Sequence, residues 1–150
     1  MRDIELEMKL QKSLNEGNNV WVVGDVHGFN HTLRSLVAKL DIRTGDYVVL
    51  LGDLIDRGPD SYDVIQFVKN SPNIATVKGN HEKMMAKVFS LSRLEKPDLR
   101  ISTWFYNGGL STATSYINAY TDSSGNENTQ ELHQAIERDK LWIEQLPSQI

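Results

Sequence analysis

Three short polar stretches carry the residues able to do chemistry: Gly24-Asp25-Val26-His27-Gly28, Gly52-Asp53-Leu54-Ile55-Asp56-Arg57-Gly58-Pro59 and Gly79-Asn80-His81-Glu82. Carboxylate, imidazole and amide oxygen together suit a borderline-to-hard divalent cation such as manganese, iron or zinc. Asp25 and His27, two residues apart on an extended segment, can reach one ion. Asp53 can bridge that ion to a second one shared with Asn80. Two ions about 3.5–4 Å apart, bridged by a carboxylate, clamp an in-line displacement at phosphorus and lower the pKa of a water between them. Arg57 offers a planar fork for phosphate oxygens. His81 is placed to protonate a leaving oxygen, with Asp56 to orient its imidazole and favour the charged form. Against this stands a plainer alternative, in which the aspartates make local turn bonds in solvated loops. Any one of the stretches alone is compatible with that alternative, because short motifs recur by chance.

The elements before and after these stretches decide between the two. Each stretch follows a short apolar run: Val20-Trp21-Val22-Val23, Tyr47-Val48-Val49-Leu50-Leu51 and Ile74-Ala75-Thr76-Val77. These runs are rich in β-branched residues and predict strands, the first of them buried on both faces. Helical spacing follows each polar stretch. Leu33, Leu36, Val37 and Leu40 form one inward stripe, with Asn30 as its cap. Val64, Ile65 and Val68 form a second within Ser61 to Lys69, and Met84, Met85, Val88 and Phe89 a third. The order is βαβαβα, an α/β fold with a parallel sheet. Asp25 and Asp53 are 28 residues apart, and Asp53 and Asn80 are 27 apart, about one βαβ unit each time. The polar stretches therefore leave the sheet at the same edge, where open α/β sheets place their chemistry.

The flanking segments read as helical. Asp3 to Glu16 is an amphipathic helix whose packing face is Ile4, Met8, Gln11 and Leu14, with Leu10 beside them. Leu99 to Tyr106 predicts a helix capped by Asn107-Gly108-Gly109, and Ser111 to Tyr120 another. Thr121 to Asn128 is a polar loop. Its Asp122, Ser124 and Asn126 alternate as in a calcium loop, but Glu127 stands where that loop requires glycine. Thr129 to Gln145 is a helix ended by Leu146-Pro147, and Ser148-Gln149-Ile150 starts a strand. His31 and His133 read as solvated or packing residues.

Length and composition bound the rest. One hundred and fifty residues with 39% hydrophobic and 24% charged content suit one globular domain. A net charge of -4 leaves no basic footprint for nucleic acid or an anionic membrane. Without cysteine there is no disulfide and no thiolate chemistry, which fits a reducing compartment. The N-terminal residues are charged throughout and no stretch approaches a membrane span, so the expected location is cytoplasmic.

In this order and spacing, GDVHG, GDLIDRGP and GNHE resemble the signature of the phosphoprotein phosphatase family of calcineurin-like metallophosphoesterases, and most of all its bacterial and lambda-phage type of serine/threonine protein phosphatase. The resemblance covers residues 20–90. Trp104 to Ser115 is similar to a less diagnostic segment of the bacterial members. What the resemblance implies is the N-terminal part of a β-sandwich flanked by helices, with a helical C-terminal segment. It implies that Asp25, His27 and Asp53 bind the first ion and Asp53 and Asn80 the second, with manganese expected and iron or zinc as alternatives. It also implies that Arg57 and Asn80 hold the substrate phosphate, that His81 paired with Asp56 is the general acid, and that Glu82 is structural support. In that family two further histidines and a second arginine come from beyond a Leu-Pro like Leu146-Pro147. Residues 1–150 are therefore expected to be a metallophosphoesterase catalytic domain that is incomplete at its C-terminus. The substrate expected is a phosphoprotein or phosphopeptide. A related family hydrolyses dinucleoside polyphosphates, but its central loop usually lacks the acid before Arg-Gly and its last motif commonly ends in Asp, whereas Asp56 and Glu82 stand here. A fragment that binds metal or a partner without turnover is the reading from a different class.

Overall fold

The apolar runs form the strands expected of them. In the computed structural model, which describes residues 2–89 and 97–150, β1 (Val20–Val23), β2 (Tyr47–Leu50) and β3 (Ile74–Thr76) make a parallel sheet in that order. Val22 is in register with Val49, which is in register with Ala75. β2 is central, and Val48, Val49 and Leu50 are all buried. The crossovers are helices α2 (Asn30–Lys39) and α3 (Ser61–Lys69), as parallel pairing requires. After β3 come α4 (Asn80–Phe89), α5 (Pro97–Trp104), α6 (Leu110–Ala119) and α7 (Thr129–Gln145). α6 packs on α3 and α7 on α4. The core gathers Leu33, Leu50, Leu54, Ile55, Ile65, Met85 and Ile143 between the sheet and these helices.

Three local expectations need correction. α1 (Ile4–Asn15), capped by the Asp3 carboxylate on Leu6 N–H at 2.9 Å, turns the other face inward. Leu6, Leu10 and Ser13 face the protein, and Ile4, Met8, Gln11 and Leu14 are exposed. Ser13 decides the orientation, because its hydroxyl donates to Gly45 O at 2.6 Å. β1 is not buried on both faces. It is an edge strand, and Val22 remains 61% exposed. Asn30 is the first residue of α2 rather than its cap, and its side chain accepts instead from Arg34 Nε at 3.1 Å. Asn107-Gly108-Gly109 ends a helix as expected: Gly108 takes a left-handed φ of +102 within the wide turn Phe105–Gly109, and α6 begins after that kink. The strand expected after Pro147 is represented by one parallel bridge between Arg2 and Gln149.

Candidate active site

Parallel pairing brings the three polar loops to the C-terminal edge of the sheet, and backbone bonds tie them into one body. Val26 and His27 N–H both donate to Asp53 O, at 3.1 and 2.9 Å, and Gly28 N–H donates to Leu54 O at 2.7 Å. Gly58 N–H donates to His27 O at 2.9 Å. The approach is close enough that a Cβ on Gly58 would collide with His27 O, and one on Gly79 with the Asp53 carboxylate and backbone. Outside glycine, positive φ occurs at His27, Asp53, Asp56, Arg57 and Asp41. Four of these five are candidate site residues, the clustering expected where backbone strain is held for function.

Glu82 is the pin between the second and third loops. It is wholly buried, and its carboxylate accepts from Asp53 N–H (2.9 Å), Leu54 N–H (2.8 Å) and Gly79 N–H (2.8 Å). The last of these is half a capping box at the start of α4. Burial pushes the Glu82 carboxyl above its ordinary range, and the backbone donors oppose that push.

His27 is fixed in one tautomer. Nδ1 lies 2.9 Å from Ile55 O, which can only accept, so Nδ1 carries the proton and Nε2 a lone pair. Nε2 is buried and has no hydrogen-bond partner. A buried polar atom without a partner is costly, and a cation is the partner that a bare imidazole nitrogen suits. Ligand-capable atoms of His27, Asp53 and His81 lie within 4.8 Å of one another. Asp25 stands beside this group, exposed, with Oδ2 3.5 Å from His27 Nε2. One terminal atom of the Asn80 amide lies 2.9 and 3.2 Å from the two Asp53 oxygens. As nitrogen it donates to both. As oxygen it converges with them as two ligands of one cation would. The donor set of one imidazole, carboxylates and an amide oxygen fits a transition-metal ion.

His81 lies on the same edge. Its Nδ1 is 2.7 Å from Asp56 Oδ2, its backbone N–H donates to Asp53 Oδ1 at 3.0 Å, and its ring meets the His27 ring edge-on at 4.7 Å. Nε2 is 3.3 Å from Arg57 Nη2, so it accepts from the guanidinium in this arrangement. Arg57 itself is exposed, as a phosphate-gripping side chain must be.

Thus Asp25, His27, Asp53, Asp56, Arg57, Asn80 and His81 are brought together at one edge. Sequence reasoning missed the residues behind them. Trp104 Nε1 donates to both Asp56 oxygens at 3.1 and 3.0 Å, and Thr112 Oγ1 donates to Oδ1 at 2.7 Å. Ser61 Oγ accepts from Asp56 N–H at 3.1 Å. Trp104 and Thr112 lie 48 and 56 residues from Asp56 in sequence. Only the likeness of Trp104 to Ser115 to the bacterial enzymes hinted that this segment mattered.

Residues 19–149 match the family described as calcineurin-like phosphoesterase. The chain belongs to that family. Among curated phosphoesterases it is 43% identical over 72 residues to Serine/threonine-protein phosphatase 2 of Escherichia coli (strain K12), covering 47% of this chain and 33% of that protein. It is 38% identical over 86 residues to the symmetrical bis(5'-nucleosyl)-tetraphosphatase of Enterobacter sp. (strain 638), covering 56% and 30%. The chain thus spans about a third of the length of these relatives. Among solved structures, a protein serine/threonine phosphatase from Saccharomyces cerevisiae superposes with a TM-score of 0.50 at 19% identity, over 85% of this chain and 33% of that one, a likeness of fold.

Proposed function

We propose that this chain carries the metal-binding and acid half of a phosphomonoesterase site, and that its substrates are phosphoserine and phosphothreonine in proteins. The observation that carries the reading is the buried Asp56–His81 pair, held at 2.7 Å beside the exposed Arg57. Breaking a poor leaving group from phosphorus needs a proton on the departing oxygen, and a seryl or threonyl alkoxide is such a group. A dinucleoside polyphosphate departs as a stabilised phosphate and needs that proton less. His27 (through Nε2), Asp25, Asp53 and Asn80 would hold two divalent ions, with manganese the first choice and iron or zinc the alternatives. When bound, those ions neutralise phosphate charge and lower the pKa of an attacking water.

The chain's own residues do the remainder. Arg57 takes phosphate oxygens in its planar fork, with Asn80 beside it. In doing so it leaves His81 Nε2, which it contacts at 3.3 Å. A protonated Nε2 cannot accept, so this release is required before His81 can act as acid. Nε2 then takes a proton from solvent and gives it to the leaving oxygen, while Nδ1–H stays on Asp56 and the ring ends as neutral imidazole.

The test is parallel turnover, with added Mn²⁺, of a phosphothreonine peptide and of diadenosine tetraphosphate. The proposal expects hydrolysis of the peptide to exceed that of the dinucleotide by about tenfold or more, the size of a modest general-acid contribution. Preference for the dinucleotide would move the protein to the symmetrical tetraphosphatase reading.

A further inference from the structure

We propose that Thr112 and Trp104 are positioning residues for the His81 acid, and that the junction between α5 and α6 is the part of the fold that aims both His81 and Arg57. This rests on the phosphatase reading above and extends it to side chains with no assigned role.

A wholly buried carboxylate can swing unless donors fix each oxygen. Asp56 has them. Oδ2 receives His81 Nδ1 at 2.7 Å and Trp104 Nε1 at 3.0 Å, and Oδ1 receives Thr112 Oγ1 at 2.7 Å and Trp104 Nε1 at 3.1 Å. A threonine hydroxyl has one proton and two lone pairs. The proton of Thr112 goes to the carboxylate, and a lone pair takes Asp56 N–H at 2.9 Å. The second faces Ser61 Oγ, also at 2.9 Å. Thr112 therefore grips Asp56 at its backbone and at its side chain together. Asp56 also has a φ of +72, a left-handed conformation that such bonds help to hold. Trp104 and Thr112 are themselves buried, at 2% and 0% exposure, so neither can exchange its bond for one to water.

The same junction holds Arg57. Its N–H donates to Gly108 O at 3.1 Å, and a Cβ on Gly108 would meet Arg57 N at 2.9 Å and Cγ at 2.8 Å. Gly108 also has the φ of +102 that turns the chain from α5 into α6. Trp104, Gly108 and Thr112 are four residues apart in succession. One wide turn thus fixes the acid pair from behind and the arginine from the side. A purely structural role would be served by any buried bonds between α6 and the central loop. A positioning role predicts instead that losing one donor harms the proton transfer selectively.

The experiment uses Thr112→Val, Thr112→Ser and Trp104→Phe in the whole chain, with folding checked by circular dichroism. The first readout is the ¹⁵N spectrum of the His81 ring at fixed pH without metal. Wild type and Thr112→Ser should show a single tautomer protonated on Nδ1, and Thr112→Val and Trp104→Phe a mixture. The second readout, with Mn²⁺, compares phenyl phosphate with dinitrophenyl phosphate. Thr112→Val should lose about tenfold on the phenyl ester, the effect of one bond to a charged group, and no more than about twofold on the activated ester. Thr112→Ser should restore the loss. An unchanged tautomer in both Thr112→Val and Trp104→Phe, or equal losses on the two esters, would overturn the proposal. If Thr112→Val does not fold, Trp104→Phe decides by the same readouts. Should wild type hydrolyse neither ester, the phosphatase reading fails, and the His81 spectrum still decides the positioning.

Discussion

His27 gives one ring nitrogen to the protein and keeps the other bare. Nδ1 is spent on Ile55 O, and Nε2 is buried without a partner, aimed at the region where Asp53 and His81 converge. His81 likewise gives Nδ1 to an acceptor, Asp56, but its Nε2 lies against the Arg57 guanidinium. The two rings differ at Nε2, without a partner in His27 and beside a guanidinium in His81, and that difference fits the roles of ligand and acid proposed for them. His81→Asn should therefore keep metal and slow hydrolysis of alkyl and phenyl phosphates by roughly 10²–10⁴-fold. The defect should shrink for an ester whose leaving group departs unaided. Rates across a leaving-group series check this, and a defect of constant size would remove His81 from the acid role. The residue types and spacing of these loops were legible in the sequence because a metal site needs few atom types at a repeating interval. The partners of Asp56 were not, since a hydroxyl and an indole on a distant helix carry no local signature.

Among the helices, α3, α6 and α7 are joined by a polar lock away from the site. Asp139 is fully buried on α7 and accepts from Lys69 Nζ at 2.5 Å, Gln66 Nε2 at 2.8 Å and Tyr116 OH at 2.9 Å. Removing one partner of a buried ion pair leaves a charge uncompensated. Lys69→Met should cost about 2–4 kcal/mol in denaturant unfolding, less than the full loss of a buried pair because the Arg138 guanidinium, 3.5 Å from Asp139, and two neutral donors remain. The same lock makes its tyrosines resist ionisation. Burial pushes the Tyr62 hydroxyl up from 10.0 to about 12, with its bond to Tyr120 adding to the push, and Tyr116 is raised well above the usual tyrosine value by burial and by Asp139. A folded pKa above the unfolded one means stability that is complete below about pH 10 and lost as pH rises through about 12. Tyrosinate absorbance followed against pH should show these two groups ionising late, together with loss of helical dichroism. Ionisation of all five tyrosines near the ordinary value in a still-folded protein would contradict the lock. The boundaries of α3 and α7 were readable from periodicity. The inward face of α1 was not, because periodicity marks an apolar stripe without saying which surface it meets. Here the Ser13–Gly45 bond and the Leu6–Leu10 side prevailed.

At the scale of the whole molecule, large apolar side chains are exposed on the outer side of α1, on β1 and just after β2, among other places. Met8 is 69% exposed and Val22 61%, with Ile4, Leu14 and Leu51 also open. β1 adds an unprotected strand edge with no charged or proline residue in it. Exposed apolar side chains beside an open strand edge favour association. The chain should therefore run above 17.0 kDa on sizing, and Met8→Lys with Val22→Lys should return it toward that mass. A monomer at every concentration would count against an adhesive surface. Among the described residues, no helix is long and apolar enough to cross a membrane. The proposed site requires a cation at the loop edge, held through His27 and Asp53. Calorimetric titration of the metal-free chain with Mn²⁺, beside the same titration of Asp53→Asn, tests this most directly. The expected result is one tight binding event in wild type, weakened at least about tenfold in Asp53→Asn, as expected when a carboxylate ligand becomes an amide. No binding to wild type, or equal binding to both proteins, would contradict it.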